Sequence, residues 1–265
     1  MERRFYAVEI AYEGAFFRGF QRQPGLPTVQ AALEAALGAL GLRPSLSVAA
    51  RTDAGVHALR QVVSFAARKD REPEALRRDL NAVLPDGMLA LSARRVAPSF
   101  HARNTAVSRT YVYLVGAPAP EVVRPYAWSL PDARAFPGLA EPRLEPGRMR
   151  AALAEAVGTH DFAGLARAGE RRGTVRTVLR AEVVSASWAP LHAVVLEGRG
   201  FLRAMVRNLV GTAVASAVGA APPGAIRELI ARRGRYRGVR APGWGLTLAA
   251  VRYPPGALPP EEAGR

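Results

Sequence analysis

The chain has 265 residues, 49 % of them hydrophobic, with 37 basic against 22 acidic side chains and a formal net charge of +15. Cysteine is absent and Lys69 is the only lysine, which excludes a disulfide scaffold, a cysteine-ligated metal site, an iron–sulfur cluster, a thiol nucleophile and a G-x-x-x-x-G-K-S/T phosphate loop. A chain this long and apolar can bury a large core, as one large or two small domains, and an arginine-borne excess of this size points to a polyanionic partner, nucleic acid first; a compositional bias toward arginine would give the same count without a partner.

From Arg3 to Tyr12, Phe5, Ala7, Glu9 and Ala11 alternate with Tyr6, Val8, Ile10 and Tyr12, which predicts a strand with an apolar face. Glu2, Arg3, Arg4 and Glu9 interrupt any apolar signal core, so no targeting segment is expected. Glu13 to Pro27 reads as a loop. Thr28 caps a helix from Val29 to about Leu40, with Leu33, Ala36, Leu37 and Leu40 at helical spacing and Gly41 as its stop. Leu46 to Ala50 and Gln61 to Ala66 predict strands, separated by the polar loop Arg51 to Ala58. Pro73 opens a helix through about Leu80, and Met88 to Val96 is a strand. The order is β-α-β-β-α-β.

The same order is expected again. Ala106 to Val115 is a strand, Pro118 to Pro146 a proline-rich excursion, and Met149 to Val157 a helix. Val175 to Trp188 and His192 to Glu197 form a hairpin turning at Ala189-Pro190. Phe201 to about Val218 and Pro223 to Arg232 are helices, and Gly245 to Arg252 is a last strand. The uncharged run Asn208 to Ile226 is broken by Gly211, Gly219, Pro222, Pro223 and Gly224, which fits a buried helix rather than a membrane span. The chain therefore reads as cytoplasmic. The expected fold is α+β: two similar β-α-β-β-α-β halves with mainly antiparallel sheets, forming a central positively charged cleft. The expected divisions are 1–104, 105–253 and a loose tail, 254–265.

Common catalytic patterns are missing: there is no G-x-S-x-G and no H-E-x-x-H, and His57, His101, His160 and His192 lack metal-like spacing. Gly198-Arg199-Gly200 lacks the third glycine of a dinucleotide fingerprint, because Arg203 stands in its place. Asp53 stands out as the only carboxylate between Glu34 and Asp70, in a stretch carrying Arg43, Arg51, Arg60, Arg68 and Lys69. Nearby arginines favour its ionised form. An ionised, fixed carboxylate can act as nucleophile or general base, and a loop aspartate can equally cap its own turn. Arg203 and Arg207, four residues apart, are expected on one face of a helix near its start, where they suit phosphate or form a solvated face. Arg109, Tyr111 and Tyr113 alternate onto one face of a strand; on an exposed sheet face a tyrosine beside an arginine can stack on a base, and the alternative is cross-strand packing. Arg171, Arg172, Arg176 and Arg180, and the segment from Arg232 to Trp244, mix basic and aromatic side chains in a way that suits RNA or a solvated surface.

These residues also carry a family resemblance. Arg51-Thr52-Asp53-Ala54-Gly55-Val56-His57-Ala58 resembles the signature of TruA-type tRNA pseudouridine synthases. The similarity continues through Tyr12-Glu13-Gly14, Gly19-Phe20-Gln21, Thr28-Val29-Gln30, Leu80-Asn81-Ala82 and Phe100-His101-Ala102-Arg103. Beyond these come Arg109-Thr110-Tyr111, Gly158-Thr159-His160-Asp161-Phe162, Met205-Val206-Arg207-Asn208, Ala241-Pro242 and Gly245-Leu246. Ala50 stands where the family usually has glycine, and Phe20 where it usually has tryptophan; neither change removes a reactive group.

The resemblance implies an isomerase that converts uridine to pseudouridine at positions 38 to 40 of the tRNA anticodon stem-loop. It implies no cofactor and no metal, and a homodimer bridged by tRNA. It makes Asp53 the catalytic carboxylate, with Tyr111 against the flipped base, Arg207 as partner of Asp53, Arg51 on the nucleic-acid backbone and Leu246 at the substrate. Arg203, Arg172 and Arg176 are the expected RNA-binding arginines. A non-catalytic RNA-binding protein and a synthase with another RNA target are the alternatives.

Overall fold

The computed structural model describes residues 3–130, 136, 143–166, 173–232 and 236–259. The chain divides into two compact units, Met1–Arg109 with Leu248–Arg265, and Thr110–Thr247. The chain passes between them at 109/110 and returns at 247/248.

The first unit runs β1 (Arg4–Tyr12), α1 (Val29–Ala39), β2 (Ser47–Val48), β3 (His57–Ala67), α2 (Pro73–Asn81) and β4 (Met88–Arg95). This is the order expected from the sequence. β4, β1 and β3 lie side by side in antiparallel register, with β2 added to β3 and the last strand, β10 (Leu246–Arg252), following β3. Thr28 caps α1 by accepting a hydrogen bond from the Ala31 amide, and Gly41 takes a left-handed φ of 74° just past its end. Glu72 caps α2 through the amides of Glu74 and Ala75, with Pro73 in the first turn.

Alternation along β1 sends Tyr6, Val8 and Ile10 to a fully buried face, and Leu33, Leu37, Leu76 and Leu80 of the two helices are fully buried as well. Truncating any of these leucines to alanine would cost about 2–5 kcal/mol. The opposite face carries a second cluster of Ala7, Ala49, Val62, Phe100 and Ala102, closed by Val251 and Tyr253. Tyr253 donates a 2.7 Å hydrogen bond to the Ala102 carbonyl, and its ring lies 5.0 Å from Phe100.

The second unit contains β5 (Ser108–Gly116, from Thr110 onward), β6 (Ala127–Ser129), α3 (Pro146–Ala154), β7 (Gly158–Asp161), β8 (Val175–Ser185), β9 (Leu191–Gly198), α4 (Met205–Ala217) and α5 (Ala225–Ala231). Its strand order is β5-β9-β8-β7; β7, β8 and β9 pair antiparallel, and β6 runs parallel to β5. α3 packs on α4 and on β8. The α+β class and mainly antiparallel pairing follow the sequence reading.

Several boundaries differ. Two short strands, β6 and β7, lie where no strand was expected. β3 begins at His57, four residues early, so the polar loop is shorter than the sequence indicated. Helix α4 begins at Met205 because Ala204, at its N-cap, adopts a left-handed φ of 62° that a helix interior cannot hold. Among the described residues, no helix is long and apolar enough to cross a membrane.

Candidate functional site

In the first unit, Asp53 sits in the loop that joins β2 to β3, half-buried between exposed Arg51 and exposed Ala54. Its neighbours are fastened from three directions. Tyr12, at the end of β1, places its hydroxyl 2.8 Å from Thr52 Oγ1, and both residues are buried. The Phe20 amide donates to the Thr52 carbonyl at 3.0 Å, and the Val56 amide to the Asp53 carbonyl at 3.2 Å. Gly14 donates its amide to His57 Nδ1 at 3.0 Å.

Two buried side chains hold the strand that enters the loop. Gln61 grips Ala50 as a strand would: its Oε1 accepts from the Ala50 amide at 3.2 Å and its Nε2 donates to the Ala50 carbonyl at 2.7 Å. Nε2 also reaches the Tyr12 hydroxyl at 3.4 Å. Arg109 is 7 % exposed and spends its guanidinium on carbonyls, reaching Ala49 through Nε (3.2 Å) and Nη2 (3.0 Å), and Ala106 through Nη1 (3.2 Å). A guanidinium satisfied by several carbonyls is a brace inside the protein.

Close backbone packing leaves the loop little room. A Cβ on Gly14 would meet backbone atoms of Gly55 and Val56 at 2.5 Å. Gly19, with φ of 94°, would meet Thr52 O at 3.0 Å and Ala54 N at 3.2 Å. These approaches exist because no side chain intervenes. Burial pushes the Tyr12 phenol up to about 12, against the hydrogen bonds from Thr52 and Gln61 that pull it down. Tyr12 is therefore a neutral hydroxyl at physiological pH. Phe20, in the family's tryptophan position, is buried and tilts against the Tyr12 ring at 6.5 Å.

In the second unit, Tyr111 and Tyr113 share one face of β5, as their spacing requires. That face is buried, not exposed as the base-stacking reading supposed. Tyr113 is fully covered and donates to the Pro242 carbonyl at 3.0 Å. Burial raises its phenol well above the usual range, while the positive charge of Arg207 pulls the other way. Tyr111 keeps 7 % exposure and meets Phe201 edge to face at 5.5 Å. Leu246 is buried, with its amide on the Gly243 carbonyl.

Arg207 lies in the first turn of α4 and is tied to one residue twice: its Nε donates to the Ala241 carbonyl at 2.8 Å, and its carbonyl accepts from the Ala241 amide at 3.0 Å. Gly211, one turn on, lets the backbone around Val239 lie directly on the helix. Arg203 is exposed and precedes the helix, so the expected i, i+4 pairing with Arg207 on one helical face does not form. Arg176 bonds to the carbonyls of Gly173 and Val175. Arg172 lies outside the described residues, as do Arg171, Arg233 and Arg235. Arg180 and Arg232 are held by Glu182 and Asp161. Among the described residues, no group of three or more metal-ligating side chains gathers.

The sequence reading gave no role to Tyr12, Gln61 or Gly14, and placed Arg109 on a base-binding face. Tyr12 and Gly14 stand in one of the motifs that carried the resemblance, but only the fold shows that they hold the Asp53 loop.

The comparisons with known proteins agree with one another. The family model described as tRNA pseudouridine synthase matches residues 10–103 and 152–254. The chain is 39 % identical over 261 residues to "tRNA pseudouridine synthase A" of Neisseria meningitidis, covering 96 % of this chain and 93 % of that protein. It is 38 % identical to the protein of the same name from Chloroflexus aurantiacus (96 % and 91 % covered) and 40 % identical to that of Frankia casuarinae (97 % and 91 %).

Proposed function

The chain belongs to the tRNA pseudouridine synthase family, and from that premise we propose that Asp53 is the carboxylate on which its reaction depends. The activity is an isomerisation of uridine to pseudouridine in tRNA. The observation that carries the assignment of Asp53 is the fastening of its loop: a carboxylate in the family's signature segment, half-buried, in a loop with almost no freedom to move.

The chemistry asks for these properties. The N1–C1′ bond of uridine breaks, the uracil turns over, and a C5–C1′ bond forms; C5 gives up its proton and N1 gains one, so the formula is unchanged. The base must first leave the stack, at a cost of a few kcal/mol. A fixed carboxylate can then attack the sugar, attack the base, or take a sugar proton. Each route needs it positioned beforehand, since a misplacement of about 1 Å can cost about 10²-fold in rate. Tyr111 and Leu246 supply apolar surface for the base, which keeps the detached uracil from water. Tyr111 also offers a hydroxyl for moving the C5 proton. The family resemblance assigns Arg207 to the carboxylate and Arg51 to the nucleic-acid backbone, and Arg203, Arg176 and Arg172 are the proposed RNA-binding arginines. The positive excess supports a nucleic-acid partner, and the family resemblance supports a homodimer acting on positions 38 to 40 of the anticodon stem-loop, in the cytoplasm.

Two experiments test this. Purified Asp53→Asn protein should form no detectable pseudouridine in unmodified tRNA while still binding it; full activity would overturn the role of Asp53. In tRNA from cells lacking the protein, positions 38 to 40 should remain uridine, and wild-type chain but not Asp53→Asn should restore the modification. Pseudouridine persisting there would overturn the target.

A further inference from the structure

A cavity of about 500 Å³ opens in the first unit, lined by Arg3, the turn Gly41–Ser45 and the end of β3 with its exit, Ala66–Lys69. The fold brings these segments together. Arg4 pairs with Ala67 across β1 and β3, which sets Arg3 beside the exit of β3. Ser47 pairs with Ser64 across β2 and β3, which carries the preceding Arg43–Ser45 segment past the same edge. Leu42 and Ala67 are buried at its floor. Four cations surround it: Arg3, Arg43, Arg68 and Lys69, the one lysine of the chain, all exposed.

Other arginines of this unit show what is unusual about them. Arg4 and Arg95 share Asp70, Arg71 holds Asp79, Arg22 holds Glu34 and Arg77 holds Glu74. Among the described residues, none of the four cavity cations has a carboxylate partner. Gathering four cations at one mouth, with no carboxylate partner among the described residues, raises the free energy of the folded chain, and an anion offsets that cost.

The position selects the kind of anion. β3 starts immediately after the Asp53 loop and ends at this cavity. From first residue to last, its 11 residues span about 33 Å at about 3.3 Å per step. No mononucleotide reaches both ends. The four charges are exposed to solvent, and the lining holds no buried charged side chain, which suits the spaced phosphates of a polynucleotide better than a single enclosed ion. We propose that this cavity is a second RNA contact, taking backbone phosphates of the tRNA about 33 Å along β3 from the Asp53 loop. The inference rests on the tRNA-modifying reading and extends it to the substrate beyond its reacting nucleotide.

The single lysine makes the test direct. Acylation of Lys69 by a water-soluble amine-reactive ester, followed by peptide mass spectrometry, should slow at least about fivefold in the presence of saturating full-length tRNA. Inorganic phosphate and a uridine trinucleotide, at matched phosphate concentration, should leave the rate unchanged. Equal protection by either small probe would overturn the proposal in favour of a small-anion site. The variant R43Q/R68Q/K69Q should bind tRNA with a salt dependence shallower by about two to three units of slope, at about 0.7–0.9 per lost phosphate contact. An unchanged slope together with unprotected Lys69 would overturn it. Wild-type pseudouridine formation is measured alongside: if it proceeds while Lys69 stays unprotected, this inference fails and the family activity stands. If Lys69 is protected but no pseudouridine forms, the activity fails and the contact stands.

Discussion

The two ends of β3 treat their polar groups in opposite ways. At the His57 end, the loop carrying Asp53 is fixed by Tyr12, Phe20 and Gly14, and the strand feeding it is held by Gln61 and Arg109. At the Ala67 end, four exposed cations ring a cavity without a carboxylate partner among the described residues. The first end is held by a dense set of hydrogen bonds and close backbone contacts. The second presents exposed side chains on a paired backbone. Chemistry on one bond needs the former. Attraction of a long polyanion is tolerant of geometry and needs only charge at the right place. The difference implies that substitutions at the two ends should divide cleanly between rate and salt-dependent affinity.

After Asp53→Asn, the largest effect is expected at Gly14. A methyl group there would collide with the Gly55 and Val56 backbone at 2.5 Å, and backbone cannot step aside as a flexible side chain can. Gly14→Ala should lower kcat by about 10²-fold with tRNA affinity little altered, measured by single-turnover kinetics and filter binding. Equal losses in both would blur the contrast between the two ends.

Tyr12→Phe is the milder version of the same experiment. It removes the hydroxyl that touches Thr52 and Gln61 while preserving the ring. The expected cost is about 1–2 kcal/mol of stability and a fall in kcat of about tenfold, smaller than for Gly14→Ala because the backbone contacts remain. The same substitution has a signature in alkali. The Tyr12 phenol is raised by burial from 10 to about 12, so the folded state favours its neutral form. That contribution is complete below pH 10 and is lost as pH climbs from 10 toward 12. Denaturant unfolding of Tyr12→Phe should therefore fall less steeply across that interval than wild type. An identical slope would mean that Tyr12 is not held as the structure shows.

The catalytic candidate was legible in the sequence, and its support was not. Asp53 could be found because it is a lone carboxylate among arginines, a local fact. Apart from Gln61 on Ala50, the groups that position it come from far along the chain, as with Tyr12 on Thr52 and Arg109 on Ala49, and only the fold brings them near. Arg109 illustrates the trap: alternation correctly placed it with Tyr111 and Tyr113, but periodicity does not say which face is covered. Helix α1 was legible from Thr28 to Gly41 because both ends carry local signals. Helix α4 was legible in its body and its end but not in its start, since Ala204 gives no hint of its left-handed backbone. β7 escaped notice because its residues, Gly158–Asp161, bury little and are strand only through β8. The cavity cations were visible in sequence as scattered charges, and their convergence depends on the β1–β3 and β2–β3 registers.

The smallest effect should come from Lys69 alone, and it separates charge from shape. Lys69→Gln removes one exposed cation, and Lys69→Arg keeps it. Since a contact with one phosphate contributes about 0.7–0.9 to the salt slope, the glutamine variant should lose about that much and bind tRNA a few-fold more weakly at low salt. The difference should vanish as salt rises and screening shortens the reach of the charge. The arginine variant should match wild type, and kcat at saturating tRNA should be untouched by either. A loss of kcat in Lys69→Gln would place this end of β3 in the chemical step and erase the division between its two ends. A loss of affinity that persists at high salt would mean that the lysine contributes packing rather than charge.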